Sequence, residues 1–232
     1  PEIREYERTS TTVINSYVGP PVASYVTALV ARMRREAMKG RLLVMQSSGG
    51  ILGSNMVTRV PARIVECGPA AGVIGAAYQA ALSGIPNVIT LDMGGTTAKA
   101  SMIEGGKIVR TDEYEVGGGI SLSSRLVKGG GYALKLPVID ISEVGAGGGS
   151  IAWFDKAGAL KVGPRSAGAV PGPACYGMGG TEATVTDANV VLGYLPVSAR
   201  LGGDMMIDRE LAVRAVKTVA DTLGRSVEEA AE

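Results

Sequence analysis

An α/β fold is predicted for this 232-residue chain by short apolar runs with strand character, helices of 3.6-residue period among and after them, and glycine turns between the two. No internal repeat is evident.

Taken in order, Pro20 and Pro21 are predicted to open a helix on which Val22, Val26, Leu29, Val30 and Met33 form the apolar stripe. Arg32, Arg34, Arg35 and Lys39 lie towards its end as a solvated face, and Gly40 is placed at C′. "RLLVMQ" reads as a strand and "SSGGILGSN" as the loop at its C-terminal end, where α/β sheets place ligands. A second helix runs from Pro69 through "PAAGVIGAAYQAALSG" to Gly84, its small residues suited to close packing on a sheet. "NVITLD" reads as a buried strand. From Asp92 to Arg110 two antiparallel strands are expected, turning at "EGGK".

"VGGGISLSSRLVKGGGYALKLP" reads as mobile. Beyond it, "LPVIDISEV", "SIAWFD" and "ALKVG" are strand-like, and "PRSAGAVPGPACYGMGGTEATVTD" reads as a long irregular loop. Two helices follow: "ANVVLGYL" after Thr186 and Asp187, with Asp187 as a candidate cap, and "RELAVRAVKTVADTLG" after the N-cap Asp208. The final "SVEEAAE" reads as a helix start with Ser226 and Glu229 as a capping box. A helix of two turns is not stable alone, so the natural chain is expected to continue.

With 23 basic and 22 acidic residues, a net charge of +1 and no basic run, the sequence gives no support for a nucleic-acid footprint. Cys67 and Cys175 lie far apart with no metal-knuckle spacing, which points to a reducing, cytoplasmic setting. No apolar stretch is long enough for a membrane span and "PEIREYERTS" lacks a signal-peptide profile, so no membrane partner is expected. Histidine is absent, which removes the commonest general base from the chain. Cys175 has no imidazole to activate it and reads as inert.

The chemistry is concentrated in "LDMGGTTAK". Asp92 ends an apolar run, Gly94 and Gly95 let backbone N–H groups approach a ligand, and Thr96 and Thr97 add hydroxyls. Such a turn suits phosphate, with Asp92 holding Mg²⁺ directly or through water. A glycine pair also serves as a plain hairpin turn, and the two readings stay open on the pattern alone. There is no G-x-x-x-x-G-K-[ST] loop. The glycines from Gly145 onward precede a strand rather than a helix, against a dinucleotide fingerprint. Gly147, Gly148, Gly149 and Ser150 are candidate ligand contacts or a sharp strand-to-strand turn.

"LDMGGTTAK", "VGAGGGSIAWFD", "ECGPAAGVIGAA" and "LKVGPRSAGAVPGPACYGMGGTEATVTDANVVLGYL" together resemble the hydantoinase A/5-oxoprolinase family, in order over roughly residues 3 to 225. The resemblance implies an incomplete actin-like, sugar-kinase-like (ribonuclease-H-like) ATPase fold with a mixed sheet and flanking helices. Residues 1–85 would end the first lobe and 86–232 begin the second.

It further implies an ATP-dependent enzyme that phosphorylates a cyclic amide for ring-opening hydrolysis, as a central fragment inactive alone. Acetone or acetophenone carboxylase subunits are related, and a non-catalytic assembly module is a third possibility. On this reading Gly94, Gly95, Thr96 and Thr97 fall on the second phosphate hairpin, with Asp92 at Mg²⁺. Gly147, Gly148, Gly149 and Ser150 lie at the nucleotide or substrate, ATP is the cofactor, and a B-type subunit or domain is the partner in an oligomer. Many members carry aspartate where Lys99 stands and histidine where Ser142 stands. Lys99 then either offers its charge to a phosphate or acyl phosphate, or is an exposed hairpin lysine.

Overall fold

The computed structural model describes residues 3–116, 131–198 and 200–232. The chain is α/β, with several small sheets and six α-helices among those residues. It forms two compact units: residues 1–92 with 99–144, and residues 93–98 with 145–232.

The first unit begins with α1 (Glu5–Arg35), which runs unbroken through Pro20 and Pro21. This corrects the expected start at the proline pair. Ile14 and Val18 seat the upstream turns in a cluster with Ala62, Tyr114, Leu134 and Val138, and this packing outweighs the lost proline hydrogen bonds. The helix ends at Glu36 and Ala37, the latter at φ 54°, ahead of Gly40.

Strand β1 (Leu43–Met45) pairs antiparallel with β2 (Ile51–Gly53), and α2 (Ser54–Val57) follows directly. The stretch expected as a loop is therefore a hairpin and a helical turn. Helix α3 (Cys67–Leu82) matches the second expected helix, closed by Gly84 in the left-handed region.

Next come β3 (Val88–Met93), β4 (Ala98–Glu104) and β5 (Lys107–Ile108), with Glu104 opposite Lys107 across the expected "EGGK" turn. Short strands β6 (Arg110–Thr111), β7 (Tyr114–Val116), β8 (Tyr132–Leu134), β9 (Val138–Ile139) and β10 (Ile141–Val144) complete this unit. The central sheet has the order β10, β4, β3, with β5 also on β4. Strand β3 is not buried as expected: Ile89 and Leu91 are each 76% exposed, because it ends the sheet and shows one face outward. Most of the segment expected to be mobile, 117–130, lies outside the described residues; its flanks pair as β7 and β8. Ala70, Val73, Ile103, Ile139 and Ile141 form the second core of the unit, between α3 and the sheet.

The second unit opens with the antiparallel pair β11 (Ser150–Phe154) and β12 (Leu160–Ser166). The segment expected to be irregular then folds into the core, where Ala174 and Cys175 are buried. After it come α4 (Val185–Val191), β13 (Arg200–Leu201), β14 (Met205–Met206), α5 (Arg209–Leu223) and α6 (Val227–Ala231). Helix α5 buries Ala212, Ala215, Val216, Val219 and Ala220 on one stripe. The caps read from sequence are present: Asp208 accepts from Glu210 and Leu211, and Ser226 with Glu229 forms a capping box. No helix among the described residues is long and apolar enough to cross a membrane.

Candidate functional site

In the second unit, the turn after Met93 is closed by the Gly94 amide donating to the Thr97 carbonyl at 2.9 Å. Gly94, Gly95 and Thr96 are exposed and Thr97 is half-buried. This turn rests on the glycine run before β11. The Gly148 amide donates to the Gly94 carbonyl at 2.9 Å and the Gly149 amide to the Gly95 carbonyl at 2.6 Å. A Cβ at Gly147 would lie 2.7 Å from both the Gly95 carbonyl carbon and the Thr96 nitrogen, so only glycine allows this approach.

The run is itself tied down. The Gly147 amide donates to Ser150 Oγ at 2.9 Å, Ser150 is 1% exposed, and both the amide and hydroxyl of Thr186 donate to the Gly148 carbonyl. Fold contacts thus occupy the amides of Gly147, Gly148 and Gly149. Gly94, Gly95 and Thr96 remain exposed to solvent, with the Gly94 amide and the Gly94 and Gly95 carbonyls taken by Thr97, Gly148 and Gly149.

Asp187, a candidate cap in the sequence, does cap α4, as the third residue of a capping box whose N-cap is Thr184. Its carboxylate, 0% exposed, accepts from Thr184 Oγ1 at 2.7 Å and from the amides of Thr184, Ala174 and Cys175. One side chain thus joins the start of α4 to the "PACY" turn. Burial, then the charge of Asp187 and a hydrogen bond to it, hold the Cys175 thiol far above the usual thiol range. This agrees with the inert reading of Cys175.

In the first unit, Asp92 and Lys99 line one cavity of about 200 Å³ between α3 and β3 and β4, with Val73, Val88 and Ile141 as apolar wall. Lys99 is not an exposed hairpin lysine. Its Nζ lies 2.8 Å from Glu143 Oε1 on the neighbouring strand β10, and the two side chains are only 18% and 21% exposed. A second carboxylate, Glu66 at the start of α3, joins this pair. Burial first, then Glu143, raises its pKa above the ordinary 4.5, while Lys99 and a hydrogen bond with Tyr114 oppose the rise. Sequence reading missed Glu66 and Glu143; the only local signal was a glutamate beside the small-residue helix in "ECGPAAG".

No group of three or more His, Cys, Asp or Glu side chains is placed to hold a metal among the described residues. A single exposed carboxylate such as Asp92 still suits Mg²⁺, which keeps waters and takes phosphate oxygens as further ligands.

Comparison with known proteins adds the following. The hydantoinase/oxoprolinase family model matches residues 8–232. An uncharacterized protein of Methanocaldococcus jannaschii is 49% identical over 231 residues, covering all of this chain and 34% of its own length. Caprolactamase subunit alpha of Pseudomonas jessenii is 42% identical over 232 residues, covering all of this chain and 32% of its own length. The crystal structure of that ATP-dependent caprolactamase matches with a TM-score of 0.66. A nucleotide-free acetone carboxylase structure matches with a TM-score of 0.79 at 32% identity, covering all of this chain and 31% of that one. The chain therefore spans about a third of the length of these two relatives.

Proposed function

The chain belongs to the hydantoinase/oxoprolinase family, and on that premise we propose that it is part of the ATP-dependent subunit of an amidohydrolase acting on a cyclic amide. The observation that carries the proposal is the exposed Gly94–Thr96 turn, seated against Gly147 and Gly149 at a distance only glycine permits. The caprolactamase relative, described as ATP-dependent, supports the same reading. The fold we assign is the actin-like, sugar-kinase-like ATPase fold.

An unstrained amide is a poor electrophile. ATP would supply the phosphoryl group that makes the amide carbon electrophilic; water then adds to that carbon, the C–N bond breaks with the ring nitrogen leaving as the amine, and a second water releases the remaining acyl phosphate as carboxylate and phosphate. For that chemistry the protein has mainly to position and neutralise charge. Backbone N–H groups of Gly95 and Thr96, with the Thr96 and Thr97 hydroxyls, hold phosphate oxygens. Asp92, just before the turn in the chain, holds Mg²⁺. Gly147, Gly148, Gly149 and Ser150 shape the turn from behind, and Lys99 presents a cation to phosphoryl oxygen. A B-type partner subunit or domain completes the enzyme, as the subunit naming of the caprolactamase and acetophenone carboxylase relatives suggests.

A carboxylase is the second reading, favoured by the higher TM-score to acetone carboxylase, 0.79 against 0.66. One experiment separates them: ATP consumption by the full-length protein with its partner, assayed with lactams and hydantoins against ketone plus bicarbonate. The amidohydrolase reading fails if only the ketone and bicarbonate stimulate turnover. The phosphate role of the turn fails if Asp92→Ala leaves Mg-ATP binding unchanged.

A further inference from the structure

The peptide groups behind the Gly94–Thr97 turn are joined in two parallel chains of hydrogen bonds. In one, the Ser150 amide donates to the Gly147 carbonyl at 2.9 Å, and the N–H of that same peptide group, on Gly148, donates to the Gly94 carbonyl at 2.9 Å. The next N–H along is the Gly95 amide. In the other, Thr186 donates twice to the Gly148 carbonyl, from its amide at 2.7 Å and from its hydroxyl at 2.8 Å. The N–H of that peptide group, on Gly149, donates to the Gly95 carbonyl at 2.6 Å, and the next N–H along is the Thr96 amide. Among the described residues neither the Gly95 nor the Thr96 amide has an acceptor. Thr186 is 9% exposed and supplies a side-chain hydroxyl where every other member of the two chains is a backbone group.

We propose that Thr186 is a positioning residue for phosphate binding, acting through the Gly148–Gly149 and Gly95–Thr96 peptide groups on the Thr96 amide. Each donation to a carbonyl draws electron density from the N–H of the same peptide group, so successive bonds strengthen one another. Two donors on the Gly148 carbonyl make the Gly149 N–H a stronger donor. Its bond to Gly95 in turn makes the Thr96 N–H more positive towards a phosphate oxygen. The same bonds fix the plane of each peptide group, so the Thr96 N–H is aimed before the ligand arrives. The Gly95 amide ends the Ser150 chain and does not depend on the Thr186 hydroxyl. A Cβ at Gly148 would lie 2.7 Å from Thr186 Oγ1, so glycine there leaves the hydroxyl its place. The inference rests on the reading that the Gly95 and Thr96 amides hold phosphate oxygens.

The test is calorimetric titration of the full-length protein with Mg-ATP, beside thermal melts. Thr186→Val keeps the packing and the backbone donor but replaces the hydroxyl by a methyl group. It is expected to weaken Mg-ATP binding about two- to tenfold, the equivalent of one net hydrogen bond. Thr186→Ser keeps the hydroxyl and loses the methyl group, so it lowers the melting temperature yet binds Mg-ATP as wild type does. Gly148→Ala crowds the same hydroxyl from the other side and is expected to weaken binding as Thr186→Val does, which gives the same readout if the valine protein melts below the titration temperature. Affinity that follows the melting temperature rather than the hydroxyl is the mark of a merely structural role and overturns the proposal. Unchanged affinity in both Thr186→Val and Gly148→Ala overturns it too, as does a loss that Thr186→Ser shares. Asp92→Ala separates the two levels. Mg-ATP binding unchanged in Asp92→Ala overturns the phosphate reading of the turn, whereas binding that depends on Asp92 and not on Thr186 overturns the relay alone.

Discussion

The amide of Gly149 donates to the carbonyl of Gly95 at 2.6 Å, bringing the glycine run before β11 against the turn that follows Met93. A Cβ at Gly149 would meet that carbonyl at 2.9 Å, and one at Gly147 would meet Gly95 and Thr96 backbone at 2.7 Å. Backbone cannot give way as a side-chain tip can. Gly147→Ala is therefore expected to cost about 1–3 kcal/mol of stability and to weaken Mg-ATP binding more than it weakens folding. Denaturant melts beside nucleotide titration check this; unchanged values for both would show that the contact does not shape the turn.

Asp187 is expected to be the most sensitive polar residue of the second unit. Its carboxylate accepts from Thr184, Ala174 and Cys175 with no exposure to water, and Asp187→Ala leaves those donors buried and unpaired. The loss is expected at about 2–4 kcal/mol by urea denaturation, several hydrogen bonds to a charged acceptor being removed at once. Asp187→Asn retains one acceptor oxygen and is expected to fall between.

Alkylation of the native protein is expected to spare Cys175, which is buried and whose thiol is held in its protonated form by burial and Asp187. Cys67, partly exposed, reacts first. Peptide mapping after iodoacetamide treatment reads the order directly, and early labelling of Cys175 in folded protein would contradict its placement.

Glu66 gives the first unit a pH dependence of defined sign. Its folded pKa lies above the ordinary 4.5, so it contributes stability that is full below that value and is lost as pH rises through the folded pKa. Wild type is expected to lose thermal stability across that window, while Glu66→Gln shows a smaller loss and melts higher at neutral pH. Melting curves at intervals from pH 4 to pH 8 (roughly the span over which a raised carboxylate titrates) show whether the two proteins diverge upward.

Removing Lys99 alone strands Glu143 and Glu66 in a partly buried place, whereas removing the pair does not. Lys99→Met is expected to cost about 2–3 kcal/mol and Lys99→Met with Glu143→Leu less than the single change. A double-mutant cycle by denaturation gives the coupling; a simple sum of the two single effects would mean that the 2.8 Å pair is energetically idle.

Several elements were legible in the residues because their signals are local. Asp208 and Ser226 cap the helices that follow them, the stripe of α5 faces the core, and Glu104 and Lys107 flank their turn. A cap, a 3.6-residue period and a two-glycine turn depend on neighbours within a few residues. The family likeness was legible for the same reason, since it sits in contiguous motifs such as "LDMGGTTAK" and the long segment around Cys175.

Tertiary structure decided what depends on distant partners. Pro20 and Pro21 read locally as a helix start, yet α1 passes through them because Ile14 and Val18 are already packed on Tyr114 and Leu134. "NVITLD" reads as buried, yet Ile89 and Leu91 face outward because β3 ends its sheet. Lys99 looked like a surface lysine until β10 laid Glu143 beside it and α3 brought up Glu66. The amino-acid sequence by itself thus determined several elements, the caps at Asp208 and Ser226 and the Glu104–Lys107 turn. Which charge meets which, and which strand face meets water, was set by sheet order, because burial and Coulomb energy are properties of groups brought together across the fold.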